Sequence, residues 1–290
     1  PSHEWLCAHF GIARQHDYPL AALMAKADGT DPGRECWFCA EPVEVRIGRD
    51  RLTIARRIDS YTPGETSALL TAFNAHFNTD GLKFVASQRS HWYMHTPDVP
   101  DVATTPLDEA LNRSVDHHLP RGTQAITWHR VMNEAQMILH GHPVNEAREA
   151  RGEAVANSIW LWGGGTAPPA GSTSFERVWS NDLLARALAR NAGVTVCDSP
   201  DSADTMIAEG GNALAVVTAL RNANDLESWC AAIEQCEQQW FAPCRKALRD
   251  SRLGSLTIVA PAEPQGRQFT IAASHRWRWW RRNKPISAHV

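Results

Sequence analysis

Apolar and polar positions repeat along this chain with two different periods, and the periods sort it into strands and helices. Val43 to Ile47 and Leu52 to Ala55 alternate at the two-residue spacing of strands, as do Lys83 to Ala86 and His91 to His95. Between these pairs, Glu65 to Phe77 repeats its apolar residues every three or four positions, the spacing of an amphipathic helix. A connector rich in Pro and Asp, Pro97 to Pro106, precedes a second helical run from Gln124 to His140. Asn157 to Trp162 then sets Asn157, Ile159 and Leu161 against Ser158, Trp160 and Trp162, largely apolar on both sides, which predicts a strand buried in a sheet. Beyond the loop Ala167 to Ser174, helical and strand-like segments alternate. Leu183, Leu184, Ala187 and Leu188 predict a helix that Gly193 ends, followed by strand Val194 to Cys197, strand Ala213 to Leu220 and helix Asp225 to Arg249. Ser255 to Ala260 and Gln268 to Ala273 complete an alternation suited to a layered α/β sheet. The expected organisation is an α+β portion over residues 1–122 and an α/β portion over residues 123–290, without internal repeats.

Composition narrows the class. The chain has 290 residues, 43% of them hydrophobic, enough for a real core. With 29 basic against 32 acidic residues, its net charge of -3 predicts no bulk attraction to nucleic acid or anionic membrane. No apolar run approaches the roughly 20 residues needed to cross a bilayer, and PSHEWLCAHF shows no signal-peptide pattern, so the cytoplasm is the expected compartment.

The segment HPVNEAREARGEAVANSIWLWGGG, His142 to Gly165, carries the most chemistry. Pro143 suits the first turn of a helix, on which Asn145, Arg148 and Arg151 follow at spacings of three and form a cationic face. His142 immediately precedes that helix, where its ring is placed to meet an anion as a cation or a donor. Gly163, Gly164 and Gly165 end the predicted strand. Read locally they make a tight exit turn, or a turn whose amides face a phosphate or carboxylate.

These phrases resemble a known family. The order H-P-V-N, R, G, N-x-I-x-L-x-G-x-G is similar to a segment of the archaeal-type cofactor-independent phosphoglycerate mutases, of the alkaline phosphatase superfamily. YPLAALMAKADGTDPG, AEPVEVRIGRDRL and NEAQMILHGHPVNEAREARG further resemble a bacterial offshoot of those enzymes, the phosphoglycerate-mutase-related, RpfE-type regulatory proteins. The resemblance covers roughly Leu6 to Gly165, and implies a reduced alkaline-phosphatase-like sheet with a smaller α+β portion resembling the mutases' inserted domain. The mutases use a serine nucleophile and two divalent metals held by Asp and His clusters, which neutralise the attacking and leaving oxygens. Here the strands that should carry those clusters run into RNANDLESW, where only Asp225 and Glu227 could be ligands, and into PAEPQGR, which lacks Asp and His. Asp28-Gly29-Thr30-Asp31 imitates the early Asp-Gly motif, but Pro32-Gly33 beside it reads as a turn, so it is expected to be loop. The resemblance therefore implies a mutase relative without the usual metal centre. Its expected role is non-catalytic and regulatory, binding a small phosphorylated or carboxylated metabolite through His142, Asn145, Arg148, Arg151 and Gly163 to Gly165.

Two alternatives stand beside that reading. An active phosphomutase or phosphatase would need a divalent metal, Mn or Zn, on rebuilt ligands, for which Asp116, His117 and His118 are the candidates with Asp225 and Glu227. Seven cysteines, an odd number, predict reduced thiols, and the one CxxC pair, Cys36 and Cys39, is half a zinc site or a redox couple. His129 and His140 are expected at a helix boundary. Finally, His275 to Pro285 interleaves Arg and Trp as a nucleic-acid or partner-binding segment would, or as a packed last strand would. A protein partner and the oligomeric state stay open.

Overall fold

In the computed structural model, residues 2–48, 51–87, 89–222, 225–261 and 266–272 are described. His275 to Pro285 lies outside them. The chain divides into two compact units, Phe10–Ser172 and Pro1–His9 with Thr173–Val290. Both mix helices and sheets, as an α/β assignment requires. The division differs from a boundary at 122/123: the strand expected within the second portion, after the helix Gln124 to His140, is hydrogen-bonded into the sheet of the first.

That sheet, in unit Phe10–Ser172, is built around one long strand, β1 (Cys36–Ile47). It extends upstream of the predicted run because Trp37, Phe38, Cys39 and Ala40 are buried, between a helix layer on each face. Strand β2 is Leu52–Arg57, β3 is Lys83–Ala86, β4 is Trp92–Thr96 and β5 is Ser158–Gly165. All five are joined antiparallel, in the order β2-β1-β4-β3 with β5 also on β1. Pairing fixes the edges. Val43 is opposite both Arg57 and Ser158, and Cys39 opposite both Tyr93 and Trp162, so β2 and β4 share the edge of β1 that β5 does not occupy. β4 covers Cys36 to Cys39 and β2 covers Val43 to Ile47, so the two part company around Glu41 and leave a notch between them.

Helix α1 (Ser2–His9) belongs to the other unit, and α2 (Leu20–Ala27) packs on β1 and β5. Helix α3 (Pro63–Phe77) begins with a capping box, in which Thr62 accepts from the Glu65 N–H and Glu65 accepts from the Thr62 N–H. Phe73 of α3 packs edge-on against Phe84 and Trp92. A short helix, α4 (Leu107–Ala110), precedes α5 (Ala125–Leu139), whose Trp128 ring lies 4.7 Å from that of Phe38. Helix α6 (Pro143–Ala150) then leads into β5.

The three glycines are not a turn. Gly163 to Gly165 continue β5, fully buried, with Gly165 paired to Trp37. A Cβ on Gly164 would stand 2.2 Å from the Phe38 ring, so glycine is required by a buried aromatic side chain rather than by a ligand.

The other unit carries a three-stranded parallel sheet, β6 (Arg177–Trp179) between β7 (Thr195–Cys197) and β8 (Ala213–Ala215), with helices α7 (Leu183–Asn191) and α8 (Ala203–Glu209). The predicted strand to Leu220 stops at Ala215, and the predicted long helix is three pieces, α9 (Leu226–Cys236), a π-helical turn Glu237–Phe241 and α10 (Ala242–Arg249). Pro243 accounts for the break, since it has no N–H to continue the ladder. A separate hairpin pairs β9 (Ser255–Ala260) with β10 (Arg267–Ala272). No helix among the described residues is long and apolar enough to cross a membrane.

Candidate functional site

His142, Asn145, Arg148 and Arg151 gather on and at the ends of α6, each engaged by other groups of the protein, while Gly163 to Gly165 lie in β5. His142 caps α6: its Nδ1 accepts from the Val144 N–H at 3.2 Å, which needs a ring unprotonated there, and burial pushes the imidazole pKa down. Asn145 is buried, donating to the Leu139 and Ala156 carbonyls at 2.9 Å each and accepting from the Tyr61 hydroxyl at 2.7 Å. The same Tyr61 oxygen accepts from the Ala156 N–H.

Arg148, 3% exposed, donates to Ala154 O, Ser60 O, Ser60 Oγ and Glu65 Oε2 at 2.7 to 3.2 Å, with its guanidinium 4.5 Å from the Tyr61 ring centre. Arg151 pairs with Glu65 and Glu153 at 2.7 to 2.9 Å. The cationic face is thus neutralised by Glu65 and Glu153, and what reads in sequence as an anion cradle is a clamp joining α3, α6 and the start of β5. An acidic partner 83 residues upstream gives no local signal of that outcome.

The metal candidates are dispersed. Asp116 and His117 lie in a 3-10 turn, Val115–His117, with His118 at its end. Asp225 caps α9 with Ser228, and Glu227 follows in its first turn, in the other unit. Cys36 and Cys39 sit three residues apart on a regular β1–β4 ladder, which sends their side chains to opposite faces and prevents them from sharing one ion or one disulfide. Burial pushes the Cys36 thiol up to about 12 and raises Cys39 too. Among the described residues no group of three or more His, Cys, Asp or Glu is arranged to hold a metal. His129 lies in the second turn of α5, where its Nε2 donates to the Pro120 carbonyl at 2.9 Å.

The notch beside Glu41 is the polar pocket the strand pattern did not announce. It has a volume of about 210 Å³ and is lined by Glu41, Pro42, Arg57 to Asp59 and Arg89 to Trp92. Alternation puts Cys39, Glu41, Tyr93 and His91 on one sheet face. Glu41 is 6% exposed. Its Oε1 accepts from Arg57 at 3.2 Å and its Oε2 from the Trp162 indole at 3.1 Å. Burial raises its pKa, against the lowering effect of Arg57. Arg57 also donates to Asp59 at 3.3 Å.

The other wall comes from the β3–β4 turn. Ser87 N–H donates to His91 O, the Ser87 hydroxyl accepts from the backbone N–H groups of Arg89 and His91, and Ser90 adopts φ 63°. A left-handed serine costs about 1 kcal/mol against glycine, and such strain is commonest where geometry serves a site. The turn sets Arg89, Ser90 and His91 in succession at the pocket, with the Arg89 side chain exposed and no acceptor for it among the described residues. Behind them is Asp28, its side chain 0% exposed. Asp28 Oδ2 lies 2.8 Å from both His91 Nδ1 and the Tyr93 hydroxyl, while its Oδ1 is buried without a partner among the described residues. Asp28, read in sequence as a loop residue, is therefore a buried support for the pocket wall, at the C-terminal end of α2. One signal was legible: Glu41 is a carboxylate in the buried period of a strand otherwise occupied there by Trp37, Cys39 and Val43.

No family model matches the chain. It is 28% identical over 189 residues to the 2,3-bisphosphoglycerate-independent phosphoglycerate mutase of Methanothrix thermoacetophila, covering 57% of this chain and 47% of that protein. It is 33% identical over 187 residues to a probable enzyme of the same name from Geobacter sulfurreducens, covering 54% and 46%. The chain thus spans about half the length of these curated relatives. The solved cofactor-independent phosphoglycerate mutase of Thermoplasma acidophilum aligns over 81% of this chain and 69% of that one, at 18% identity and a TM-score of 0.41. Over just over half of its length, the chain is similar in sequence to 2,3-bisphosphoglycerate-independent phosphoglycerate mutases.

Proposed function

We propose that this protein is a mutase relative of the RpfE-type regulatory kind that binds a small phosphorylated or carboxylated metabolite without turning it over, and that the notch between β2 and β4 is where the metabolite is held. The observation that carries this is Arg89: an exposed guanidinium beside a pocket whose other arginine, Arg57, is already committed to Glu41 and Asp59. A planar fork without an acceptor among the described residues, next to an imidazole, is a competent phosphate or carboxylate donor set. The α6 network supports the same relocation, since every strong donor of Arg148 is spent within the protein.

The test is elemental analysis of protein purified without chelator, run beside 3-phosphoglycerate binding and turnover with added manganese. The reading expects saturable binding and no product. Stoichiometric metal with conversion of 3-phosphoglycerate would overturn the non-catalytic part, and no binding of any phosphorylated or carboxylated small molecule would overturn the rest.

A further inference from the structure

On α9, Ala232 and Cys236 are buried against their own unit, while Leu226, Trp229 and Ile233, spaced three and four apart, are 75%, 48% and 38% exposed. Continued as a regular α-helix, the chain would carry Phe241 about 80° round the axis from Ile233. The π-helical turn Glu237–Phe241 takes in one extra residue and returns Phe241, also exposed, to the same side. A soluble helix keeps polar residues on its outer side, so an apolar stripe of this length marks a contact surface.

The rim of the stripe has one sign. From Asn222 to Cys244 the sequence holds Asp225, Glu227, Glu234 and Glu237 and no Lys, Arg or His. Asp225 caps α9 and Glu237 pairs with Arg245 at 3.0 Å, whereas Glu227 and Glu234 are exposed with no cationic partner among the described residues. A second copy laid on this face would set like charges together, and nucleic acid would be repelled. A basic segment with large apolar side chains fits it. Residues 273–290 are such a segment, with Arg276, Arg278, Arg281, Arg282 and Lys284 interleaved with Trp277, Trp279 and Trp280, and no Asp or Glu.

Position and length agree with charge. Strand β10 ends at Ala272, opposite Ser255 of β9, which packs on α10 within the unit that also holds α9. Along the helices, Phe241, Ile233 and Leu226 stand about 12, 24 and 35 Å from Arg249 at the end of α10. Extended from Ala272, Trp277 reaches about 17 Å, Trp280 about 27 Å and Lys284 about 40 Å. A segment tethered this close is present at an effective concentration of about millimolar, ahead of a partner in free solution. We propose that α9 and the π-helical turn are the docking face of the chain's own C-terminal Arg/Trp segment, its indoles on the apolar stripe and its bases beside Glu227 and Glu234.

Limited trypsin digestion of the full chain, followed by mass spectrometry, reads cleavage after Arg276, Arg278, Arg281 and Arg282 against a synthetic peptide of residues 273–290. At low salt these bonds should be cut at least about tenfold more slowly in the protein, independently of its concentration. Salt at about 0.5 M, which screens exposed charges, should lower that protection severalfold. Glu227→Gln combined with Glu234→Gln should do the same, and so should Ile233→Ser, all at exposed positions. Cleavage at the peptide's rate overturns the inference. Protection that survives in both variants overturns it by placing the segment elsewhere, and protection that rises with protein concentration by giving the face to another copy's segment. Protection that appears only with added single-stranded DNA assigns the segment to nucleic acid and overturns it too.

Discussion

Replacing Arg148 with methionine keeps most of the side-chain volume and removes the donors, so it tests whether the α6 arginines serve the fold or a ligand. Four acceptors lose a partner: the Ala154 and Ser60 carbonyls, the Ser60 hydroxyl and Glu65. Breaking a buried ion pair costs roughly 3–5 kcal/mol when the surviving charge is stranded. Glu65 is not stranded, because Thr62 and Arg151 still hold it. The low end of that range, about 3 kcal/mol, is therefore expected, and for a unit of this size that is a fall in Tm of roughly 6–12 °C. Urea unfolding followed by tryptophan fluorescence would report it. Affinity for glycerol phosphate in the folded variant should stay within about twofold of the wild type, since the notch does not use Arg148. A variant of unchanged stability that has lost anion binding would refute this reasoning and return α6 to the role its sequence suggested.

The remaining predictions concern packing, pH and thiols. Gly164→Ala should cost about 1–3 kcal/mol or more in the same unfolding assay, because its Cβ would meet Phe38 at 2.2 Å inside the core. Tyr61→Phe should cost about 1–3 kcal/mol by stranding the buried Ala156 N–H, and a loss under 0.5 kcal/mol would show that water replaces the hydroxyl. Hydrogen bonds from Thr62, then from Arg151 and Arg148, hold the Glu65 carboxyl down to about 2. Its stabilising effect is complete above the ordinary carboxyl range and is lost as pH falls from about 4.5 towards 2, so Tm plotted against pH should be flatter in that window for Glu65→Gln; parallel curves would disprove it. With Cys36 pushed up to about 12 and Cys39 raised by burial, native-state alkylation at pH 8 should mark exposed Cys230 and spare both, whereas early labelling of either would contradict their placement.

The sequence pattern reported elements better than it reported roles. The helix Glu65 to Phe77 and the strand from Asn157 were legible because their periodicity and caps are local. The length of β1 was not, because a strand covered on both faces loses its alternation and Cys36 to Ala40 read as a thiol motif. The partners of Arg148 and Arg151 were hidden for a different reason. A spacing of three predicts a cationic face, but only the tertiary fold reveals that Glu65 neutralises it. The notch escaped for the same reason: Asp28, Glu41, Arg57 and Arg89 are far apart in sequence and converge where two strands leave the edge of a third.

The most direct test of the central claim is the affinity of the wild type and of Arg89→Ala for 3-phosphoglycerate, measured by calorimetry at low salt. Loss of one charge-assisted donor set, worth about 1.5–3 kcal/mol, predicts a 10- to 100-fold weaker complex in a variant whose Tm is unchanged. Equal affinity in the two proteins would place the metabolite somewhere other than the notch and contradict the account.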